Sequence, residues 1–380
     1  MSFVRAGRSV GLFVALWSLC AAGGAAEFKP AVCGPASLRL ISGIPIIHVY
    51  GTPEQMGKQQ GVLLGPAVRA VFKQYLERFL TLDGRNTSFR DTMVKLSREM
   101  EKSIPGHYVR EMRALAKAAG ATYEDVRLAN TVFDLKRSIF CTTVVAVGKR
   151  SSDGQPIFAR NLDFPTLGVA HKYSCVIVYH PAKGRSVASV TFPGLIGVLS
   201  GINDAGVTAA TMEVRLRGST TNAAPYAMVY RDALTGADSA ADVVKSVTGR
   251  GRSSNNNLMI CDAQGGAAVA ELSLKRTAVR RPVDGLIYST NHFQSKELGT
   301  PLFCWRLPRI RKALAGGKQL DTALAKTLLA DVAYRRLTMQ SMVLRPAARQ
   351  FELAVGEPPA ARHPFVLFKS SDLFPAPRKP

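Results

Sequence analysis

Beyond residue 26 the sequence has no apolar run approaching the roughly 20 residues a helix needs to cross a bilayer, which excludes a polytopic membrane protein. It has no Cys-x-x-Cys, no His-Glu-x-x-His and no cluster of Cys with His. Its six histidines (48, 107, 171, 180, 292 and 363) are scattered, so a zinc site has no support and no metal or cofactor is expected. Acidic residues are scarce, 27 against 50 Lys plus Arg, for a net charge of +23. The excess is dispersed in small clusters at Arg250/Arg252, Lys275/Arg276, Arg280/Arg281, Arg335/Arg336 and Arg378/Lys379. None is a long basic run or a stripe interleaved with aromatics, so nucleic acid is not an expected partner. A solvated basic surface is the plain reading; peripheral contact with anionic lipid, or attraction of an acidic substrate, is the functional one. There is no repeat of fixed period and no low-complexity linker. With 47% hydrophobic and 20% charged residues in 380, the chain has material for a large core, and one compact domain is expected.

What is present begins with an address. Residues 1–26 read as a secretory signal peptide: Arg5 and Arg8 form a basic start, Val10 to Leu19 an apolar stretch, and Gly24-Ala25-Ala26 a small-residue cleavage site before Glu27. The stretch is short for an uncleaved anchor. A lipoprotein anchored through Cys20 is disfavoured because Leu19 stands where a small residue is needed. The expected location is therefore secreted or periplasmic. The mature chain would keep Cys33, Cys141, Cys175, Cys261 and Cys304, and an odd number leaves at least one thiol unpaired within the chain. Spacing assigns no pairs. Cys175 and Cys261 lie in strand-like patterns and read as buried thiols or a disulfide.

The chain then alternates between two textures. Residues 38–50 read as paired strands, and 52–137 as mainly helical, with Thr52 capping a helix that has Pro53 at its first position. Helices are predicted over 86–101 and 107–120, and from Thr122 onward. At Cys141 the pattern switches to strand, and 141–163 reads as a hairpin turning near 149–154. Further strands are predicted at 174–180, 187–192, 196–203, 206–214, 257–262, 267–272 and 285–290. Helices return at 224–235, 239–248, 303–315 and 319–332, followed by strands over 342–356 and 365–369. The class is α+β with layered sheets.

Hairpin pairing sets residue 141 opposite 162, which brings Arg160 and Asp163 beside Cys141. A guanidinium favours a thiolate, and a carboxylate can hold an amine or orient the Arg. By themselves these three residues more often mean a core thiol beside a surface ion pair than a catalytic site.

The residue string Cys141-Thr142-Thr143 followed by Arg160-Asn161-Leu162-Asp163-Phe164 resembles the N-terminal-nucleophile (Ntn) hydrolases. It looks closest to the branch of isopenicillin-N acyltransferase-like proteins, acid ceramidase, N-acylethanolamine acid amidase and bile-salt hydrolase. Upstream, Gly51, Pro53, Gly57, Gln59 and Gly61 resemble the family's Gly-x-Pro-x-x-x-Gly-x-Gln-x-Gly segment. Glu111, Gly120, Glu124, Asp125 and Asn130 resemble its helix–turn–helix before the nucleophile. Downstream, Ser200 to Val214 resembles its second hairpin and Thr290-Asn291 its Thr-Asn motif.

The resemblance implies a four-layer αββα sandwich with two antiparallel sheets. It also implies self-cleavage between Phe140 and Cys141 into a small helical chain (27–140) and a large chain (141–380), together one compact domain. Cys141 would be the nucleophile, with its freed α-amine as base. Arg160 would stabilise the thiolate and contact substrate, and Asp163 would bind the α-amine. Asn291 would supply an oxyanion or substrate contact, and Arg306 would organise the pocket, with Arg309 and Arg311 close enough to leave its register open. Cys33 and Cys304 are a candidate tether between the two chains. One departure stands out: Glu213 occupies the place of an oxyanion Asn, and a carboxylate cannot donate unless protonated. Backbone N–H groups would have to replace it. Asn203-Asp204 reads as a turn and Asn255-Asn256-Asn257 as a loop entering a strand.

The implied reaction is acyl transfer from a small-molecule N-acyl amide through a thioester on Cys141, without cofactor. Water as acceptor makes an amidase. An amine as acceptor makes an acyltransferase, and an inactive binding protein on the same scaffold is the remaining alternative.

Overall fold

Three strands open the part of the chain that the computed structural model describes, which comprises residues 28–81, 87–136, 139–216, 218–299 and 303–376. The signal segment with Cys20, and the Arg378/Lys379 cluster, lie outside these residues. Strands β1 (Ala31–Cys33), β2 (Ala36–Ile41) and β3 (Ile44–Gly51) form a meander. Thr52 then caps α1 (Pro53–Val71) in a capping box: its side chain accepts from the Gln55 N–H while Gln55 accepts from the Thr52 N–H. Helix α1 runs through a π turn into α2 (Glu77–Thr81), followed by α3 (Thr87–Glu101), α4 (Gly106–Ala119) and α5 (Tyr123–Leu135). Next come the hairpin β4 (Phe140–Ala146) and β5 (Ile157–Asp163), then β6 (Cys175–Pro181), β7 (Val187–Thr191), β8 (Ser200–Asn203) and β9 (Thr208–Glu213). Helices α6 (Tyr226–Thr235) and α7 (Ala240–Thr248) precede β10 (Asn256–Cys261), β11 (Ala267–Leu272), β12 (Thr277–Arg280) and β13 (Leu286–Ser289). Helices α8 (Arg306–Ala313) and α9 (Thr322–Asp331) lead to β14 (Thr338–Arg345), β15 (Gln350–Val355), β16 (Val366–Phe368) and a last turn, α10 (Ser370–Leu373).

The strands make two sheets. One has ten strands in the order β1-β2-β3-β6-β7-β8-β9-β10-β11-β12, the other six in the order β13-β4-β5-β14-β15-β16. The smaller sheet is buried on both faces, and alternation along its strands sorts the side chains. Cys141, Val145, Phe158, Leu162 and Met342 face the core shared with the larger sheet. Val144, Ala146, Ile157, Ala159 and Val343 face the other way, against Leu307, Ile310 and Leu328 of α8 and α9. Helices α1, α6 and α7 cover the outer face of the larger sheet. The result is the expected α+β, four-layer αββα sandwich. The expectation of two purely antiparallel sheets needs one correction: β3 and β6 are parallel, Ile46 pairing with Val176 through to Gly51 with Pro181. Between them lie five helices and the β4–β5 hairpin of the other sheet, a crossover long enough for a parallel neighbour.

Other details depart from the reading of the sequence. The run 342–356 is two strands folded at a turn that places Arg349 at φ 51°. Strand β8 begins only at Ser200, and β1 and β12 were not foreseen. Cys33, Cys141, Cys175, Cys261 and Cys304 are all free thiols, so Cys175 and Cys261 are buried thiols and Cys33 is not bonded to Cys304. Among the described residues no helix is long and apolar enough to cross a membrane.

The Gly-rich segment of α1 is explained by packing against α4. A Cβ on Gly57 would meet the Glu111 carbonyl oxygen at 2.2 Å, and one on Gly61 would meet that of Leu115 at 2.6 Å. Between them Gln59 clamps the end of β3, accepting from the Tyr50 N–H at 2.7 Å and donating to the Tyr50 carbonyl at 3.1 Å. Gly57→Ala is therefore expected to cost about 1–3 kcal/mol of stability through forced separation of the helices. A urea midpoint lowered at unchanged slope would show it; an unmoved midpoint would mean that α1 and α4 have room to part.

Candidate active site

The hairpin pairs Cys141 with Leu162 and Phe140 with Asp163, the register read from the sequence. Cys141 is fully buried. Its peptide group is gripped by side chains from elsewhere: its N–H donates to Asn291 Oδ1 at 2.8 Å, and its carbonyl accepts from Arg306 Nη1. Arg306 also donates to Thr142 Oγ1 at 2.9 Å and, through Nη2, to Asn291 Oδ1 at 2.9 Å. It reaches Asp163 Oδ2 at 3.6 Å. The structure thus brings Cys141, Asp163, Asn291 and Arg306 together. Of the three nearby arginines it is Arg306 that makes these bonds, while Arg309 lies over Trp305 and Arg311 over Tyr288.

Arg160 is fully buried on β5, with its Nε donating to Ser200 Oγ at 3.0 Å. Its terminal nitrogens find no oxygen among the described residues. Burial pushes the Cys141 thiol up to about 11, opposed chiefly by the positive charge of Arg160 and reinforced by the negative charge of Asp163. Burial likewise raises Asp163 to about 6, against the pull of Arg306, the Thr338 hydroxyl and Arg160. The thiol is therefore neutral near pH 7.

Glu213 ends β9 and is buried in the same cluster. It acts as an acceptor: its Oε2 takes the Ile139 N–H at 2.8 Å, and its carbonyl takes Asn291 Nδ2 at 2.7 Å. Asn291 Nδ2 also donates to the Ile139 carbonyl at 3.2 Å. Glu213 and Asn291 therefore hold the residue just before Phe140.

Three supporting residues were not placed at the site by the sequence, Asn257 having read only as part of a loop entering a strand. Thr338 donates to Asp163. Asn257 Nδ2 is shared among Ser289 Oγ and the carbonyls of Thr290 and His292, at 2.8–3.1 Å, which fixes the loop carrying Asn291. Glu271 accepts from the N–H groups of Gln294 and Ser295 at 2.8 and 3.0 Å and fixes its far side. The Asn run that read as a loop entering a strand does enter β10, and its last member also positions the site. Asn203 is a turn residue as expected, its Oδ1 accepting from the Ala205 and Val207 N–H groups.

Beyond Asp163, Phe164 joins Tyr75, Phe79 and Phe133 in lining a small apolar cavity of about 40 Å³ between helices α1, α2 and α5. Among the described residues no group of three or more His, Cys, Asp or Glu is arranged to hold a metal ion.

The raised acid at 163 has a consequence for stability. Its folded value of about 6 lies above its usual 3.8, so between these pH values the folded chain holds a proton that the unfolded chain has lost. The contribution is complete below about pH 4 and disappears as pH rises through 6. Wild type should lose on the order of 2 kcal/mol relative to Asp163→Asn between pH 4 and pH 6.5. Urea midpoints of both proteins at the two pH values measure this. A difference that does not change with pH would mean that Asp163 ionises normally.

Residues 150–301, which begin after Cys141 and extend past Asn291, match the family described as acyl-coenzyme A:6-aminopenicillanic acid acyl-transferase. An uncharacterized protein of Archaeoglobus fulgidus is 27% identical over 266 residues, which are 62% of this chain and 44% of its own. The N-acylethanolamine-hydrolyzing acid amidase of Cavia porcellus is 29% identical over 117 residues, 31% of this chain and 32% of its own. The chain thus spans less than half the length of either relative. Among solved structures, the Caenorhabditis elegans N-acylethanolamine-hydrolyzing acid amidase ortholog aligns with 55% of this chain and 93% of its own at 20% identity, with a TM-score of 0.45. The match over residues 150–301 bears out the resemblance of this part of the chain to the acyl-transferase-like Ntn hydrolases.

Proposed function

We propose that this chain is an exported amidohydrolase that cuts itself before Cys141 and then cleaves a non-peptide amide of an N-acyl substrate through a thioester on that cysteine. The supporting observation is that Asn291 and Arg306 hold the backbone of Cys141, its N–H and its carbonyl, rather than its sulfur. A buried thiol that only fills space needs no such grip. A residue whose own amino group becomes part of the machinery does.

In maturation the Cys141 sulfur attacks the Phe140 carbonyl carbon. The C–S bond forms, the C–N bond breaks, and the thiol proton ends on the freed amine. Water then hydrolyses the thioester, leaving a carboxylate on Phe140 and restoring the thiol. In turnover the α-amine, with a usual pKa of about 7.7–8.0, takes the thiol proton. The sulfur attacks the substrate carbonyl, the α-ammonium protonates the departing amine, and water releases the acid.

Each neighbour has a part. Arg160 favours the thiolate. Asp163, paired across the ladder with Phe140, holds the α-ammonium. Asn291 Nδ2, released from the Ile139 carbonyl when that segment leaves, donates to the oxyanion. Arg306 keeps Asn291 and Asp163 in register. Transfer to an amine instead of water is the second reading, favoured by the acyl-transferase description of the matched family; product analysis with and without added amine separates the two. Residues 1–26 supply the export signal in this proposal, and contact with anionic lipid through the basic surface remains part of it.

Intact mass and N-terminal sequencing of wild type beside Cys141→Ala test the reading. The expected result is two wild-type chains, the larger starting Cys-Thr-Thr-Val-Val, and an uncut variant. A wild-type chain left whole from acid to neutral pH would overturn it.

A further inference from the structure

Under the function proposed above, two reactions bring an acyl carbon to the same sulfur. In maturation that carbon is the carbonyl of Phe140, and in turnover it is the substrate's. The groups around the acyl side of the Phe140 carbonyl therefore outline the place the substrate's acyl group takes, and in the uncut chain that place is filled by the protein's own residues.

The filling has definite chemistry. The half-buried Phe140 ring packs against Tyr334, with centroids 5.4 Å apart and planes at 49°. The guanidinium of Arg215 lies over the same ring at 4.0 Å, within cation–π range. Trp305 stands edge-on to Tyr334 at 5.4 Å and backs the slot. One residue further from the sulfur, the Ile139 N–H donates to the buried Glu213 carboxylate at 2.8 Å, and the Ile139 carbonyl accepts from Asn291 at 3.2 Å. A benzyl group thus sits on the carbon next to the acyl carbon, and an N–H donor lies one residue beyond.

We propose that the space vacated by Ile139 and Phe140 is the acyl subsite, and that it selects a peptide-like acyl group. An aryl side chain next to the acyl carbon enters between Tyr334 and Arg215, and an N–H further out replaces that of Ile139 on Glu213. This rests on the self-cleaving reading. Glu213 is what distinguishes the choice. When Ile139 leaves, the buried carboxylate loses a donor, and a site shaped for an N–H discriminates against a ligand that lacks one. A plain alkyl chain offers neither donor nor ring.

The test uses the full chain. Intact mass first establishes cleavage. The cut protein is then assayed with N-acetyl-isoleucyl-phenylalanyl p-nitroanilide and with decanoyl p-nitroanilide. The expected kcat/KM ratio favours the dipeptidyl anilide by roughly tenfold or more. Arg215→Ala, a change at an exposed side chain that leaves the core intact, should narrow that ratio by weakening the dipeptidyl substrate. A cut protein that prefers the decanoyl anilide, or a ratio that Arg215→Ala does not move, overturns the inference and leaves the proposed function standing. A chain that never cuts itself overturns both.

Discussion

The grip on the Cys141 peptide group is the constraint on which the rest of the site depends. A residue at the start of a central strand would ordinarily pass its N–H and carbonyl to the ladder. Here Asn291 takes the N–H and Arg306 the carbonyl, and the two are bonded to each other. Asn291 lies in a loop after β13, and Arg306 is the first residue of α8. Meeting at Cys141 therefore requires β13 to lie beside β4 and α8 to pack on the outer face of the same sheet. The layer order of the fold is what makes a four-residue contact out of positions spread over 165 residues.

Burying this many charges carries a cost that only mutual pairing offsets. Arg160, Asp163, Glu213 and Arg306 are all removed from water. Two guanidiniums against two carboxylates give near neutrality, so the cluster is tolerable as a set and costly if broken singly. The same burial sets its chemistry. Asp163 is driven up to about 6, into the range where an acid exchanges its proton near working pH. Arg306 and Thr338 keep it from rising further. The surroundings of the cysteine thus tune its neighbours as much as the thiol itself.

The hairpin carried most of what the sequence made legible. Local pairing fixes which residues face each other, so spacing alone put Arg160 and Asp163 beside Cys141, and the 141–162 register stood; reading them as a site needed the family resemblance. Asn291 and Arg306 needed the family resemblance, because nothing local says that they meet a residue more than a hundred positions earlier. Asn257, Glu271 and Thr338 escaped for the same reason. Each acts on the site through another element, and their types are common in loops and strands. The parallel pairing of β3 with β6 was hidden because strand texture carries no direction. The turn at Pro346–Arg349 lacks Gly and Asn and carries a single Pro, so its positive φ falls on an arginine that reads as continuing strand.

On the proposed reading the uncut chain lacks a base, and this lack ties cleavage to catalysis. With its thiol near 11, Cys141 would be ionised in about one molecule in ten thousand at pH 7. The candidates to help it are all engaged. Asp163 accepts from Thr338 and pairs with Arg306. Glu213 accepts from Ile139. His292, next to Asn291, bonds the Thr290 hydroxyl at 3.0 Å, and burial together with Arg306 and Arg280 lowers its affinity for a proton. A new α-amine at Cys141 would be adjacent to the sulfur, of suitable basicity, and set among groups already arranged around that nitrogen. On the proposed reading the peptide bond is therefore a cap on the base, and its removal is what turns a buried thiol into a nucleophile.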